Sequence, residues 1–225
     1  MSSVNDVHCG GGSIPPFAVY LFDVDGTLLD SALDICGAVE HVLAANGAAP
    51  RSFDYLKSFI GRHLIYLFQE VFPTYNATGI EDLIQQYRTT YLSRGHSMTK
   101  VFPGVQEGLA RLGGRKSTAT TKGTPTTRKV LEQFGLLPYF NHVQGTDGFP
   151  SKPAPDVILA ALQALGADPA DCLMVGDSTP DMEAGRAAGV KICAVSYGYG
   201  KVEALERLSP DYWIGDIRDL SDGRL

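Results

Sequence analysis

Apolar residues in this chain fall into short uninterrupted runs, separated by stretches in which they recur every three or four positions. That pattern predicts buried strands alternating with amphipathic helices, and such alternation builds an α/β fold around a mainly parallel sheet. Strands are predicted at 19–22, 117–120, 142–145, 172–175 and 191–195, with a weaker one at 212–214. The 117–120 run is rich in Ser and Thr where a central strand is usually Val and Ile, although β-branched threonine suits a pleated strand. Helices are predicted at 105–112, 126–134, 155–165 and 181–188, with Pro155 in a first turn and Gly135 and Gly166 at helix exits.

Between the first two strands, the segment 31–100 carries almost no strand signal. Its helical stretches are 32–46, 54–60, 64–71 and 80–94, and Leu33, Cys36, Val39 and Leu43 are spaced to point inward from one helix face. An all-helical block of this kind is expected to be a small domain of its own. The expected organisation is a flexible leader over 1–16, an α/β core from 17–30 and 101–225, and an inserted helical domain over 31–100.

Candidate chemistry begins where the first strand ends. The run Ala18-Val19-Tyr20-Leu21-Phe22 leads into Asp23-Val24-Asp25-Gly26-Thr27, and Gly26 permits a tight departure from the strand. Side chains alternate in an extended segment, so Asp23 and Asp25 project to the same side, where two carboxylates repel unless a cation or a proton is shared. The competing reading is a plain Asp-Gly turn with a solvated aspartate. Three further segments supply what carboxylates lack: Thr120-Thr121-Lys122, Ser151-Lys152-Pro153-Ala154-Pro155-Asp156, and Val175-Gly176-Asp177-Ser178-Thr179-Pro180-Asp181. A lone lysine is usually a solvated surface residue, but Pro153 and Pro155 stiffen the loop that carries Lys152 and limit the entropy lost in fixing its ammonium. Asp177 and Asp181 also lie among residues that cap a following helix, which is their alternative role.

Charge and cysteine content narrow the class. A net charge of −6 in 225 residues argues against nucleic acid or an anionic membrane as a partner. No apolar stretch reaches transmembrane length, and the first sixteen residues lack a basic and apolar signal pattern, so a cytoplasmic protein is expected. Cys9, Cys36, Cys172 and Cys193 show neither CxxC spacing nor zinc-ligand clustering and read as thiols, not as disulfides or ligands.

In this order the four segments resemble the haloacid-dehalogenase-type (HAD) phosphohydrolase superfamily, in its phosphoglycolate-phosphatase-like and β-phosphoglucomutase-like branch, over residues 18–200. The resemblance implies a Rossmann-like core and a mobile helical cap that closes over the site. It implies Asp23 as the nucleophile forming an aspartyl phosphate, and Asp25 as general acid and base. Thr120, Thr121, Gly26 and Lys152 would hold the phosphoryl group, with Asp181 orienting Lys152. It also implies Mg²⁺, held by the Asp23 side chain, the Asp25 backbone carbonyl and the Asp177 side chain. The family usually has Asn where this chain has Thr121, and often Pro where it has His63, in Ile60-Gly61-Arg62-His63-Leu64. Arg62 either pairs with an anionic group of the substrate or is a solvated cap residue, and His63 reads as a polar loop residue. The S-R-x-x-S stretch of β-phosphoglucomutase relatives does not occur there.

The expected function is a Mg²⁺-dependent phosphatase for a small phosphorylated metabolite, acting as monomer or homodimer. A phosphosugar mutase is the alternative within enzymes. A catalytically idle phosphate-binding regulator is the alternative outside them, and it predicts loss of Asp23, Asp25, Lys152 or Asp177, all of which are present.

Overall fold

The computed structural model describes residues 14–221; the expected leader up to residue 13, with Cys9, lies outside the described residues. Five parallel strands form the sheet: β1 (Val19–Phe22), β4 (Arg115–Thr118), β5 (Cys172–Gly176), β6 (Lys191–Val195) and β7 (Tyr212–Ile214), in the order β4-β1-β5-β6-β7. A second, two-residue ladder pairs β2 (Leu29–Asp30) with β3 (Lys100–Val101) in antiparallel fashion.

Strand residues alternate between two buried layers. Tyr20, Phe22, Leu173, Val175, Cys193 and Val195 pack on one face with helices α5 (Val105–Arg111) and α6 (Thr124–Gln133). On the other face Val19, Leu21, Cys172, Met174, Ile192 and Ala194 pack with α7 (Asp156–Leu165) and α8 (Thr179–Ala187). Both faces being covered is why these strands read as unbroken apolar runs instead of alternating ones. A short α9 (Val202–Glu206) precedes β7. None of the described helices is long and apolar enough to cross a membrane.

The insertion holds α1 (Ala32–Ala45), α2 (Phe53–Lys57), α3 (Ile65–Val71) and α4 (Ala77–Ser93). These helices bury a cluster of their own, built on Cys36, Val39, Leu43, Leu67, Phe68 and Leu83 and separate from the two layers on the sheet. The β2–β3 ladder spans the two chain crossings into it. Beside that ladder, fully buried Asp34 accepts hydrogen bonds from the Met98 amide at 3.0 Å and the Thr99 hydroxyl at 2.7 Å, and pairs with Arg94 at 3.4 Å.

Three expectations need correction. Leu33 is 50 % exposed, because the buried face of α1 runs through Ile35, Cys36, Val39 and Val42 instead. Pro155 is the residue before α7, not part of its first turn. The predicted strand at 142–145 is reduced to two isolated bridges, Ser117 with His142 and Thr120 with Gly145. Its neighbour shows why: the Thr118 hydroxyl both donates to the Gln144 carbonyl and accepts from the Gln144 amide, each at 2.8 Å, so a side chain takes the place of ladder bonds. The Ser and Thr content that looked odd for a strand serves this edge.

The helix that carries Asp181 lies close against the sheet because Gly185 has no side chain. A Cβ there would come within 2.5 Å of Ile192 Cγ2 and 3.2 Å of Met174 Cβ. We expect Gly185→Val to destabilise the protein by about 1–3 kcal/mol in urea unfolding, the usual cost of overpacking. An unchanged midpoint would mean that α8 can back off the sheet at no cost.

Candidate active site

Hydrogen-bond register brings the site together. Phe22 pairs with Val175, and the Asp23 amide donates to the Val175 carbonyl at 3.0 Å, so the residues leaving β1 and β5 emerge side by side. From β1 the sheet runs to β4 on one side and to β5 and β6 on the other. The crevice between β1 and β5 is therefore the switch point at which open α/β sheets collect ligands.

Asp23, Asp177 and Asp181 converge there, each no more than 2 % exposed, with one oxygen from each within 4.8 Å of the others. One ammonium pairs with two of the three carboxylates. Lys152 Nζ donates to Asp23 Oδ1 at 2.7 Å, to the Ala119 carbonyl at 2.9 Å and to Asp181 Oδ1. Asp181 Oδ2 accepts from the Ser178 amide at 2.9 Å and from the Ser178 hydroxyl at 2.6 Å. Helix capping and lysine orientation, the two readings of Asp181, are thus both met by one carboxylate. Asp177 Oδ1 accepts from the Thr27 hydroxyl at 3.0 Å and Oδ2 from the Tyr199 amide at 2.8 Å.

Burial opposes charge on these groups. Desolvation pushes Asp23 up to about 7; Lys152 holds it down in part, while Asp181 adds to the rise. Desolvation, followed by repulsion from Asp181 and Asp23, pushes Asp177 up to about 8. Lys152 is also desolvated, yet its two carboxylate partners win and raise it. Asp181 accepts three hydrogen bonds, whereas each Asp177 oxygen accepts one and Asp23 Oδ2 accepts none among the described residues, which leaves lone pairs for another partner. An oxygen-only set with surplus buried negative charge suits a hard divalent cation such as Mg²⁺.

Asp25 belongs to a second cluster. Its Oδ1 accepts from the Ser31 hydroxyl at 2.6 Å, and its Oδ2 lies 3.1 Å from Lys122 Nζ. Repulsion between Asp23 and Asp25 is therefore met by a lysine for each. Lys122 also donates to the Tyr91 hydroxyl at 2.9 Å, which joins the core to α4 of the insertion.

The remaining expected residues surround this pair of clusters. Gly26 has φ +99°, and a Cβ on it would come within 2.4 Å of Asp177 Oδ2, so only glycine fits. Thr120 is buried, and its hydroxyl accepts from the Lys122 amide at 3.4 Å. Asp23 and Asp25 lie on the floor of a cavity of about 640 Å³, whose walls include Thr121, Lys122, Arg62 and His63. Arg62 is exposed at the cavity; its amide donates to the Phe59 carbonyl at 3.1 Å, and its guanidinium has no hydrogen-bond or ion-pair partner among the described residues. His63 Nδ1 accepts from the Ile65 amide at 3.2 Å, which is the role of a polar loop residue at the start of α3.

Sequence reasoning missed Lys122 and Tyr199. Lys122 carried a signal, as the third residue of the Thr-Thr-Lys segment. Tyr199 carried none: it binds Asp177 through its backbone amide, and its hydroxyl accepts from the Ser31 amide at 2.7 Å and the Ala32 amide at 3.0 Å.

The chain is similar to known proteins over most of its length. Residues 20–195 match the family model described as haloacid dehalogenase-like hydrolase. A phosphoglycolate phosphatase of Caulobacter vibrioides is 34 % identical over 211 residues, covering 90 % of this chain and 89 % of that protein. Its counterpart in Aquifex aeolicus is 33 % identical, covering 90 % and 94 %. The solved structure of a haloacid dehalogenase-like family hydrolase from Streptococcus pneumoniae superposes with a TM-score of 0.81 at 25 % identity, covering 89 % of this chain and 95 % of that one. With the family model running from β1 through β6 and taking in the insertion and both acidic clusters, the chain belongs to the haloacid dehalogenase-like hydrolase family.

Proposed function

We propose that this chain is a Mg²⁺-dependent phosphatase that hydrolyses a small phosphomonoester through an aspartyl phosphate on Asp23. The observation that carries the reading is the setting of Asp23, whose carboxylate is buried beside Asp177, tied to Lys152 and open to the cavity floor. The phosphatase names of the relatives support it, and so does the pairing of two carboxylates in different surroundings.

In the proposed reaction a carboxylate oxygen of Asp23 attacks phosphorus, the ester P–O bond breaks, and the Asp25 carboxyl gives its proton to the departing alkoxide. Asp25, now a carboxylate, takes a proton from water as that water attacks the acyl phosphate. The products are inorganic phosphate and free Asp23. Lys152 keeps the nucleophile oriented and offsets the phosphoryl charge, helped by Thr120, Thr121 and the turn at Gly26. Ser31 and Lys122 fix the direction of the Asp25 carboxylate. Bound by the Asp23 and Asp177 side chains and the Asp25 carbonyl, Mg²⁺ would supply the positive charge that lets both buried acids ionise and that draws density from the phosphoryl oxygens. The insertion over 31–100 serves as the cap, excluding water and presenting Arg62 to the leaving group. Three buried thiols without disulfides, Cys36, Cys172 and Cys193, fit a cytoplasmic setting.

Asp23→Asn should lower kcat by about a hundredfold or more in a phosphate-release assay while preserving the circular dichroism spectrum. A rate closer to wild type would replace covalent attack with direct attack by water.

Asp25→Asn should cost about 10²- to 10⁴-fold in kcat, the usual worth of general acid–base catalysis. Lys122→Met should lower kcat by a smaller factor, of about tenfold, because it only misaligns that carboxylate. Equal losses in the two variants would give Lys122 a direct part in the chemistry.

Mg²⁺ should raise the melting temperature of the wild-type protein, and Asp177→Asn should remove that rise. A rise that survives the substitution would move the metal elsewhere.

A further inference from the structure

The cavity above Asp23 and Asp25 is large for the relatives' named substrate. Its volume of about 640 Å³ falls inside the range of roughly 300–1,000 Å³ that encloses drug-sized ligands. A lifted insertion does not account for the space, because the insertion rests on the core. A Cβ on Gly61 would lie only 2.9 Å from Cβ and Oγ of Ser178, the Tyr91 hydroxyl is bonded to Lys122, and the Lys57 ammonium sits 4.9 Å from the centre of the Tyr199 ring. With those contacts made, the leaving group of phosphoglycolate, a two-carbon acid, would fill only the part nearest the carboxylates.

One side of what remains is walled by apolar and aromatic side chains of the insertion, Phe59, Ile60, Ile84 and Tyr87, and the rest by polar groups that include Gln85, Arg88, Thr126 and Asp147. The Tyr87 ring stacks on Tyr91 with centroids 5.6 Å apart and planes 15° apart, and its hydroxyl makes no hydrogen bond among the described residues. A sugar seated against the Phe59–Tyr87 side would leave the hydroxyls on that side against hydrocarbon, unpaired. A flat ring instead gains contact area and ring–ring attraction. Arg62, unpaired at the cavity, presents a planar guanidinium that stacks on such a ring or pairs with an anionic substituent on it.

We infer that the preferred substrate is a phosphomonoester whose leaving group carries an aromatic or heteroaromatic ring, seated against Phe59, Ile60, Ile84 and Tyr87. The inference rests on the phosphatase reading and adds the substrate class to it.

The test measures phosphate release by the full-length enzyme with Mg²⁺ from phosphoglycolate, glucose 6-phosphate, a nucleoside 5′-monophosphate and pyridoxal 5′-phosphate. The activated ester p-nitrophenyl phosphate serves as the control for the chemistry alone. At least one of the two ring-bearing esters should exceed phosphoglycolate and glucose 6-phosphate in kcat/KM by about tenfold or more, chiefly through a lower KM. If phosphoglycolate or glucose 6-phosphate equals or surpasses both ring-bearing esters, the inference is overturned while the phosphatase reading stands. Absence of phosphate release from every ester, the control included, overturns both. In a second arm, Ile60→Trp narrows the apolar lobe and should raise KM for the better ring-bearing ester at least about tenfold more than for phosphoglycolate. Proportional changes for the two substrates would overturn the seating of the ring. Should that variant not fold, the wild-type comparison decides alone.

Discussion

Three buried carboxylates around one buried ammonium set the terms for the rest of this structure. Asp23, Asp177 and Asp181 stand within one ion's reach of one another at the ends of β1 and β5, and Lys152 neutralises only part of their charge. Burying such a set is costly unless each oxygen is met by a donor. Besides Lys152, the surrounding chain does this for Asp181 with the Ser178 amide and hydroxyl and for Asp177 with the Thr27 hydroxyl and the Tyr199 amide. The fit also demands missing side chains: a Cβ on Gly198 would stand 2.2 Å from Asp177 Cβ, as intolerable as one on Gly26. The backbone closes around Asp177 from two loops, and the surplus negative charge is of the kind that suits a cation.

The second cluster, around Asp25, links the site to the insertion. Lys122 lies between Asp25 in the core and Tyr91 in α4, so Asp25 is held by a lysine whose other partner belongs to the insertion. Tyr199 makes a similar link from the other side, touching Asp177 through its amide and the start of α1 through its hydroxyl. A displacement of the insertion would thus be felt at both carboxylate clusters. The chain crossings are stiffened by the β2–β3 ladder and by the bonds to Asp34.

Much of this was legible along the chain because it depends on local order. Period-two burial with both faces covered produced unbroken apolar runs, and these marked β1, β5, β6 and β7. Asp23, Asp25 and Asp177 each follow such a run within three residues, so strand ends pointed to the candidate site. Lys152 was marked by the prolines around it. The strand at 142–145 was misread for an equally physical cause: pattern does not reveal that the Thr118 hydroxyl will occupy its ladder positions. Leu33 was misread because a helical stripe can be drawn through more than one set of residues, and only the neighbours of α1 choose between them.

The sequence by itself determined the class of fold and marked Asp23, Asp25, Lys152, Asp177 and Asp181 as candidates, since these follow from residue type and from spacing along a strand or turn. Only the tertiary structure decided how those charges are shared. It gave Asp23 and Asp25 a lysine each, made Asp181 serve Lys152 and the α8 cap at once, brought the Tyr199 amide to Asp177, and set the size and lining of the cavity. Each of these depends on residues far apart in the chain, and their distance is fixed by sheet register and helix packing, which no local pattern encodes.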